Sequence, residues 1–290
     1  MIDNADGITV VKCGGRAGLD REAVCADVAA LVRAGHRIVL AHGGSADVDA
    51  LAERLGVPQR RLTTPSGSSS RYTDPRTLEV LLLALAGKVK PALVGGLGAA
   101  GVDAVGLTGL DGGLLTARRT AVHRAVLDGR PVLVRDDHNG RITAVDTTVL
   151  RVLLSAGLTP VVSPPALGGD GLPVNVDADR AAGAIAAALP ARRLVLLTGA
   201  PGVLADHTDE TSLVRDLVLP PEGPVSSAAV GGMTAKLQAA RDALHAGVGE
   251  VLIADGRVAS PVTAALAGAG TRVRLAAPST HVEPPLAVGS

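Results

Sequence analysis

Two lysines, three glycine pairs and a short polar run with two acids are the residues of this 290-residue chain whose types and spacing could do chemistry. Lys12 stands just before Gly14 and Gly15, and Lys236 follows the pair in Gly231-Gly232-Met233-Thr234-Ala235-Lys236. A further pair, Gly43-Gly44, comes after His42. Glycine at the end of a strand lets backbone N–H groups approach an anion and cradle it. A lysine beside such a cradle adds a compact point charge, which arginine does not replace. That choice stands out because lysine supplies only four of the 28 basic residues; the other two, Lys88 and Lys90, flank the end of a helical pattern and read as surface. Asn175, Asp177 and Asp179 alternate ahead of a helix. An N-cap accounts for one acid and less well for all three residues together; an acid near two lysines could orient both ammonium groups without being a base itself. Amides for phosphates, two lysines for developing charge and an acid to hold the lysines describe phosphoryl transfer, which is mostly positioning and electrostatics.

The elements that must position these residues alternate short β-rich runs with helical stretches, which predicts a mainly parallel sheet with helices on both faces. Ile8 to Cys13 and Arg37 to Ala41 read as strands running into the Gly14-Gly15 and Gly43-Gly44 turns, where ligands of open α/β sheets bind. Helices are expected over 21–34, after Ser45, and from Asp74-Pro75 through Leu85, the last opened by an N-cap and a proline at the first helical position. Arg60 to Tyr72 reads as a hairpin and Leu114 to Val145 as one small antiparallel element. The segment from Pro164 to Pro173 reads as a loop and as the boundary between lobes. Beyond it follow a helix from Asp177, strands at 194–198, 250–254 and 271–275, and helices at 232–246 and from Ser260. The expected organisation is two lobes, residues 1–172 and 173–278, with a disordered tail over 279–290.

Several function classes are excluded on composition. The 28 basic and 28 acidic residues cancel, so the electrostatic footprint of a nucleic-acid binder is missing. Tyr72 is the lone aromatic residue, which leaves no stacking platform for single strands. The longest mainly apolar runs, 78–86 and 181–189, fall short of the roughly 18 to 20 residues of a bilayer span. Met1 is followed by Asp3 and Asp6 rather than a basic segment, so no secretory signal is expected. Cys13 and Cys25 form no CxxC pair and read as reduced thiols, and the expected location is the cytoplasm. The histidines are scattered, so no protein-built metal site is expected; His42 reads as a residue packed under its loop. Gly96-Leu97-Gly98-Ala99-Ala100-Gly101 matches a dinucleotide fingerprint but lies between a helix and a strand in the wrong order, so it reads as a helix stop and turn.

In order along the chain, Lys-x-Gly-Gly at 12–15, His-Gly-Gly at 42–44, Asn-x-x-x-Asp at 175–179 and Gly-Gly-Met-x-x-Lys at 231–236 resemble the amino acid kinase family over nearly the whole length. Within it the chain is similar to the acetylglutamate kinase branch. His42 to Asp47, Ser70 to Asp74, Gly106 to Gly112, Pro164-Pro165-Ala166 and Ala254-Asp255-Gly256-Arg257 resemble the kinases that phosphorylate aminoadipate or glutamate carried on an amino-group carrier protein. The resemblance implies a three-layer αβα sandwich around a mainly parallel sheet, with an acyl-amino-acid lobe first and a nucleotide lobe second. Lys12 and Lys236 would then neutralise the transferring phosphoryl group, with Asp179 organising both. Gly14, Gly15, Gly43 and Gly44 would offer amides to the phosphates of ATP. Arg71 and Asn175 would hold the acyl-amino acid, Arg71 as a fork for its carboxylate. Thr198, Gly199 and Gly202 resemble the nucleotide-lobe turn, although Gly199 replaces the Asp or Asn of many relatives. Mg2+ would ride mainly on the nucleotide's own phosphates, and the acceptor carboxylate needs no general base because it is already ionised at neutral pH.

A carrier of this kind is a small acidic protein, and Arg118, Arg119 and Arg124, in the arginine-rich stretch to Arg141, form a candidate docking face for it. The first strand starts near Ile8, which leaves no room for the N-terminal helix of hexameric, arginine-inhibited relatives. The resemblance therefore implies a homodimer through the helix after Asp74. The alternative activity is phosphorylation of free N-acetylglutamate by the same residues.

Overall fold

The computed structural model describes residues 7–14, 19–63, 69–120, 122–127, 129–225 and 232–276; Gly15, Gly231 and the expected tail lie outside the described residues. The first half holds β1 (Ile8–Cys13), α1 (Arg21–Arg33), β2 (Arg37–His42), α2 (Ser45–Arg54), β3 (Arg61–Thr63) and β4 (Ser69–Arg71). Next come α3 (Pro75–Ala84), a π-helical turn (Leu85–Val89), α4 (Lys90–Ala99), β5 (Ala104–Gly109), β6 (Leu115–Arg119), β7 (His123–Leu127), β8 (Arg130–Val134) and β9 (Gly140–Val145). The chain continues through α5 (Thr148–Ser155), β10 (Thr159–Gly168), β11 (Pro173–Val174), α6 (Ala178–Ala188) and β12 (Arg193–Thr198). Last are β13 (Val203–Leu204), β14 (Leu213–Val214), β15 (Asp216–Leu219), α7 (Gly232–His245), β16 (Glu250–Asp255), α8 (Pro261–Leu266) and β17 (Thr271–Leu275).

The main sheet runs β15-β17-β16-β12-β1-β2-β10-β6-β9, with β5 and β11 also paired to β10. Its central pairs, β16–β12–β1–β2–β10, are all parallel. Period-two alternation sorts the central strands onto two cores. Val10, Val39 and Leu194 pack with α6 and α7 on one face, whereas Val11, Leu40 and Val195 pack with α1, the α3–α4 helix and α8 on the other. The result is the three-layer αβα arrangement expected from the alternating pattern. A smaller sheet, β4-β3-β7-β8, stands apart with its own core around Leu62, Tyr72, Ala125 and Val134.

Three local readings are corrected. Residues 114–145 do not form one element: β6 and β9 complete the edge of the main sheet, and β7–β8 joins the β3–β4 hairpin instead. Pro164 and Pro165 do not open a loop, because β10 is continuous to Gly168. Its pairing to β5 ends at Ser163 and its pairing to β6 begins at Leu167. The prolines thus fall where the strand changes partners, and their missing N–H groups cost no ladder bond.

The helix from Pro75 also does not stop near Lys90. It continues through the π turn to Ala99, 25 residues in all, long and apolar enough by those measures to cross a membrane. Gly96 does not end it; a Cβ there would lie 3.0 Å from Cys25 Sγ, so the glycine permits close contact with α1. The stop comes at Gly101, with φ +79°.

Candidate active site

Lys12 is the fifth residue of β1, on the same face as Val10 and therefore under α6. The chain enters α6 through Asp177, whose carboxylate accepts from the N–H groups of Asp179 and Arg180 at 3.0 and 2.9 Å. The first acid of the Asn175–Asp179 run is thus the N-cap, and Asp179 occupies the first helical turn. One turn further on, Gly183 meets α7 so closely that a Cβ would stand 3.2 Å from the Ala239 carbonyl. Lys236 lies three residues before Ala239, so the glycine contact brings Lys236 to the level of Asp179.

The three side chains meet in the interior. Lys12 Nζ is 2.7 Å from Asp179 Oδ1, and Lys236 Nζ donates to both Asp179 oxygens at 2.9 Å. Lys12, Asp179 and Lys236 are 5%, 7% and 9% exposed. Burial alone would raise the Asp179 pKa, but the two ammonium groups outweigh it and hold the carboxyl at about 2. For Lys12 burial is likewise opposed by Asp179, and the carboxylate prevails to raise its pKa. For Lys236 burial, aided by the neighbouring Lys12 charge, prevails over Asp179 and lowers it. At neutral pH the cluster carries one net positive charge with little water to screen it. Such a site favours an anion.

Around it lie the carboxyl ends of β1, β2 and β12. Gly14 follows β1, where a Cβ would come 3.2 Å from both Leu19 Cδ1 and the Leu197 carbonyl. Gly43 donates its N–H to the Cys13 carbonyl at 3.1 Å, which spends that amide on the fold. Gly44 forms the N-cap of α2, and a Cβ there would lie 2.6 Å from Leu85 and 3.0 Å from Val89 in the π turn. Thr198 ends β12 and Gly199 follows it, exposed, with none of the described residues within 4 Å of where a Cβ would be. Gly202 instead turns inward: its Cβ position lies 2.6 Å from Thr271 Oγ1 and 2.7 Å from Leu213, so its role is packing.

Arg71 and Asn175 converge on a polar knot that no spacing in the sequence announces. Asn175 Nδ2 donates to Thr73 Oγ1 at 3.2 Å and to Asn139 Oδ1 at 2.7 Å. Asn139 Nδ2 in turn donates to the Arg71 carbonyl at 2.6 Å and to Asp137 Oδ1 at 2.8 Å. With its amide hydrogens used, Asn175 retains a carbonyl oxygen able to accept a substrate N–H. Arg71 Nη1 is 2.7 Å from Asp49 Oδ1 and also donates to Gln59 Oε1. Asn139-Gly140 is a local turn signal, but the Asn139 bridge to Asn175 ties it into the candidate site.

His42 is fully buried, with Nδ1 3.1 Å from the Gly43 carbonyl and no hydrogen-bond partner for Nε2 among the described residues. Burial drives its pKa down to about 4, so the ring is neutral at pH 7. Lys88, expected at the surface, is indeed exposed but reaches Asp47 at 3.0 Å, a carboxylate it shares with Arg21. Of the arginines read as a docking face, Arg118 and Arg124 are exposed. Arg119 donates to the Asp137 and Arg135 carbonyls at 2.8 and 3.4 Å, which commits it to structure. Arg118 lies in the main sheet and Arg124 in the small one, so the face spans two sheets.

A parallel αβα sandwich carrying a buried lysine–aspartate–lysine cluster at the carboxyl ends of its strands is the framework of a phosphotransferase. The chain belongs to the amino acid kinase family, whose model matches residues 7–255, and its acceptor is a carboxyl group. It is 43% identical over 267 residues to the [LysW]-aminoadipate kinase of Deinococcus radiodurans, covering 91% of this chain and 90% of that one. The acetylglutamate kinase of Symbiobacterium thermophilum is 40% identical over 254 residues, 86% of this chain and 84% of the relative. Among solved structures, the N-acetylglutamate synthase of Neisseria gonorrhoeae superposes with a TM-score of 0.73 at 26% identity. That match takes in 94% of this chain, which spans 60% of the synthase.

Proposed function

We propose that the protein uses ATP to phosphorylate the distal carboxylate of aminoadipate or glutamate held through its amino group on a small acidic carrier protein, giving an acyl phosphate. The buried Lys12–Asp179–Lys236 cluster carries this reading. An acceptor carboxylate oxygen forms a bond to the γ-phosphorus while the bond to the β,γ-bridging oxygen breaks, and ADP leaves with the electron pair. No proton moves in that step, which suits a site whose carboxylate is tied to two ammonium groups and is no base. Lys12 and Lys236 take up charge as it spreads over the transferring group. Gly14 and Gly44, with Gly15 and Gly43 beside them, line the phosphate side, and Thr198 and Gly199 the nucleotide side. Asp179 is fully engaged by lysines, so Mg2+ is held mainly by the phosphates of ATP.

On the acceptor side, Arg71 and Asn175 address the carboxylate and amide of the acylated amino acid. The preference for a carrier-bound acceptor is supported by the higher identity to the Deinococcus [LysW]-aminoadipate kinase. The homodimer through the Pro75–Ala99 helix and the cytoplasmic location remain part of this proposal. The test is to mix the protein with ATP, Mg2+, hydroxylamine and each acceptor, then measure the trapped hydroxamate. Hydroxamate from carrier-bound aminoadipate or glutamate supports the reading. Product from free N-acetylglutamate alone transfers the assignment to acetylglutamate kinase, the second reading favoured by the 40% identity to the Symbiobacterium enzyme.

A further inference from the structure

The turn Asp255-Gly256-Arg257 follows β16 and has no part in the cluster or the polar knot. Its arginine bridges two carboxylates. Nη1 and Nη2 donate to Glu210 Oε1 and Oε2 at 2.7 and 2.9 Å, a parallel fork. The backbone N–H and Nε donate to Asp255 Oδ1 at 2.9 Å, and Nη2 to Asp255 Oδ2 at 2.8 Å. Exposed ion pairs ordinarily contribute little, but a two-pronged guanidinium already fixed by a second carboxylate loses little freedom on closing.

Glu210 belongs to the excursion that leaves β12 at Thr198, forms the β13–β14 hairpin and returns as β15. Thr271 pins the base of that hairpin, accepting from the Val203 N–H at 2.8 Å and donating to the Val214 carbonyl at 2.6 Å. Arg257 pins its outer end. Gly256 meanwhile donates its N–H to the Thr198 carbonyl at 2.8 Å, in a place where a Cβ would lie 2.5 Å from Leu19. One short turn therefore grips both the root and the far end of the segment carrying Thr198 and Gly199. Gly199 has no side chain to anchor itself, so its backbone is placed by these neighbours.

We propose that Arg257 is a positioning residue for nucleotide binding: by clasping Glu210 it holds the Thr198–Gly202 backbone in its ligand-binding shape. This rests on the assignment of ATP to the carboxyl ends of β12 and β16. The test measures the Kd of AMP-PNP by calorimetry, KM for ATP and for the acceptor, and Tm. Arg257→Ala should weaken AMP-PNP and raise KM for ATP about tenfold, the low end of the loss for a supporting contact once removed from the ligand, with KM for the acceptor unmoved. Glu210→Gln should shift ATP in the same direction. The double variant should be no worse than Arg257→Ala alone, because both changes break one contact. Arg272→Ala, which breaks a similarly exposed pair with Glu250, should leave nucleotide affinity unchanged. Nucleotide affinity in Arg257→Ala within twofold of the wild type, additive losses in the double variant, or an equal rise in acceptor KM would each overturn the clasp alone. Failure of the wild-type protein to bind AMP-PNP would instead overturn the nucleotide assignment, and the clasp with it.

Discussion

At the scale of single residues, the proposed chemistry and the stability of the fold draw on the same three groups. Lys236→Ala removes one preorganised charge and should lower kcat by roughly two to three powers of ten in the hydroxamate assay. Asp179→Asn leaves two buried ammonium groups with no counter-charge, a loss of about 3–5 kcal/mol of stability that urea unfolding will register. The carboxylate's depressed pKa fixes the sign with acid: its contribution is complete above the ordinary carboxylate value and is lost as pH falls towards about 2. His42 acts at milder pH. Its imidazole is neutral in the fold down to about 4, whereas an unfolded histidine binds a proton near 6.5. The unfolded state therefore holds the extra proton between those values, and stability declines as pH drops through that window by up to about 1.4 kcal/mol per pH unit. His42→Gln should flatten that part of a Tm-against-pH curve; an unchanged slope would show that other groups carry it.

At the scale of elements, glycines divide by what surrounds them. Gly44→Ala drives a methyl against Leu85 and Val89 in the π turn, so Tm and turnover should both fall, with overpacking costing about 1–3 kcal/mol. Gly199→Ala meets nothing within 4 Å and should keep the wild-type Tm. Circular dichroism melts of the two variants separate these outcomes. Elements with a strong local signal were legible in the chain. β17 spans 271–275 as read, and the Asp74-Pro75 cap opens α3 where expected. The lysine–aspartate cluster was legible because glycine pairs and caps mark its members locally. What escaped is decided by distant partners. Nothing near Pro164 shows that the strand is passing between two neighbours, and nothing near Gly96 shows a cysteine opposite it. The short strands β13 to β15 were missed because runs of two to four residues carry no period. The Asn139–Asn175 bridge, the Thr73 hydroxyl and the Arg257–Glu210 contact join residues 36 to 102 positions apart, beyond any spacing rule.

At the scale of the whole molecule, a neutral total charge conceals a local asymmetry. Arg118 and Arg124 stand exposed in the main and the small sheet, and we propose this face as the one that meets the acidic carrier. Reversing both to glutamate should raise KM for the carrier-bound acceptor about tenfold at low salt and much less at high salt, since exposed charges act within a Debye length. KM for ATP should not move; equal carrier kinetics in the variant would place docking elsewhere. Arg119 is the wrong residue for that experiment, because its guanidinium supports the Asp137 backbone next to the polar knot. The small sheet that presents Arg124 also encloses Tyr72, whose hydroxyl donates to Asp136 and whose ring lies 4.7 Å below Arg60. With no tryptophan or phenylalanine anywhere in the chain, essentially all aromatic ultraviolet absorption and emission originates there, one residue from both Arg71 and Thr73. The protein thus arrives with an intrinsic spectroscopic reporter beside the proposed acceptor pocket, and a tyrosine emission change on titration with acceptor but not with nucleotide would bear that placement out, without a label.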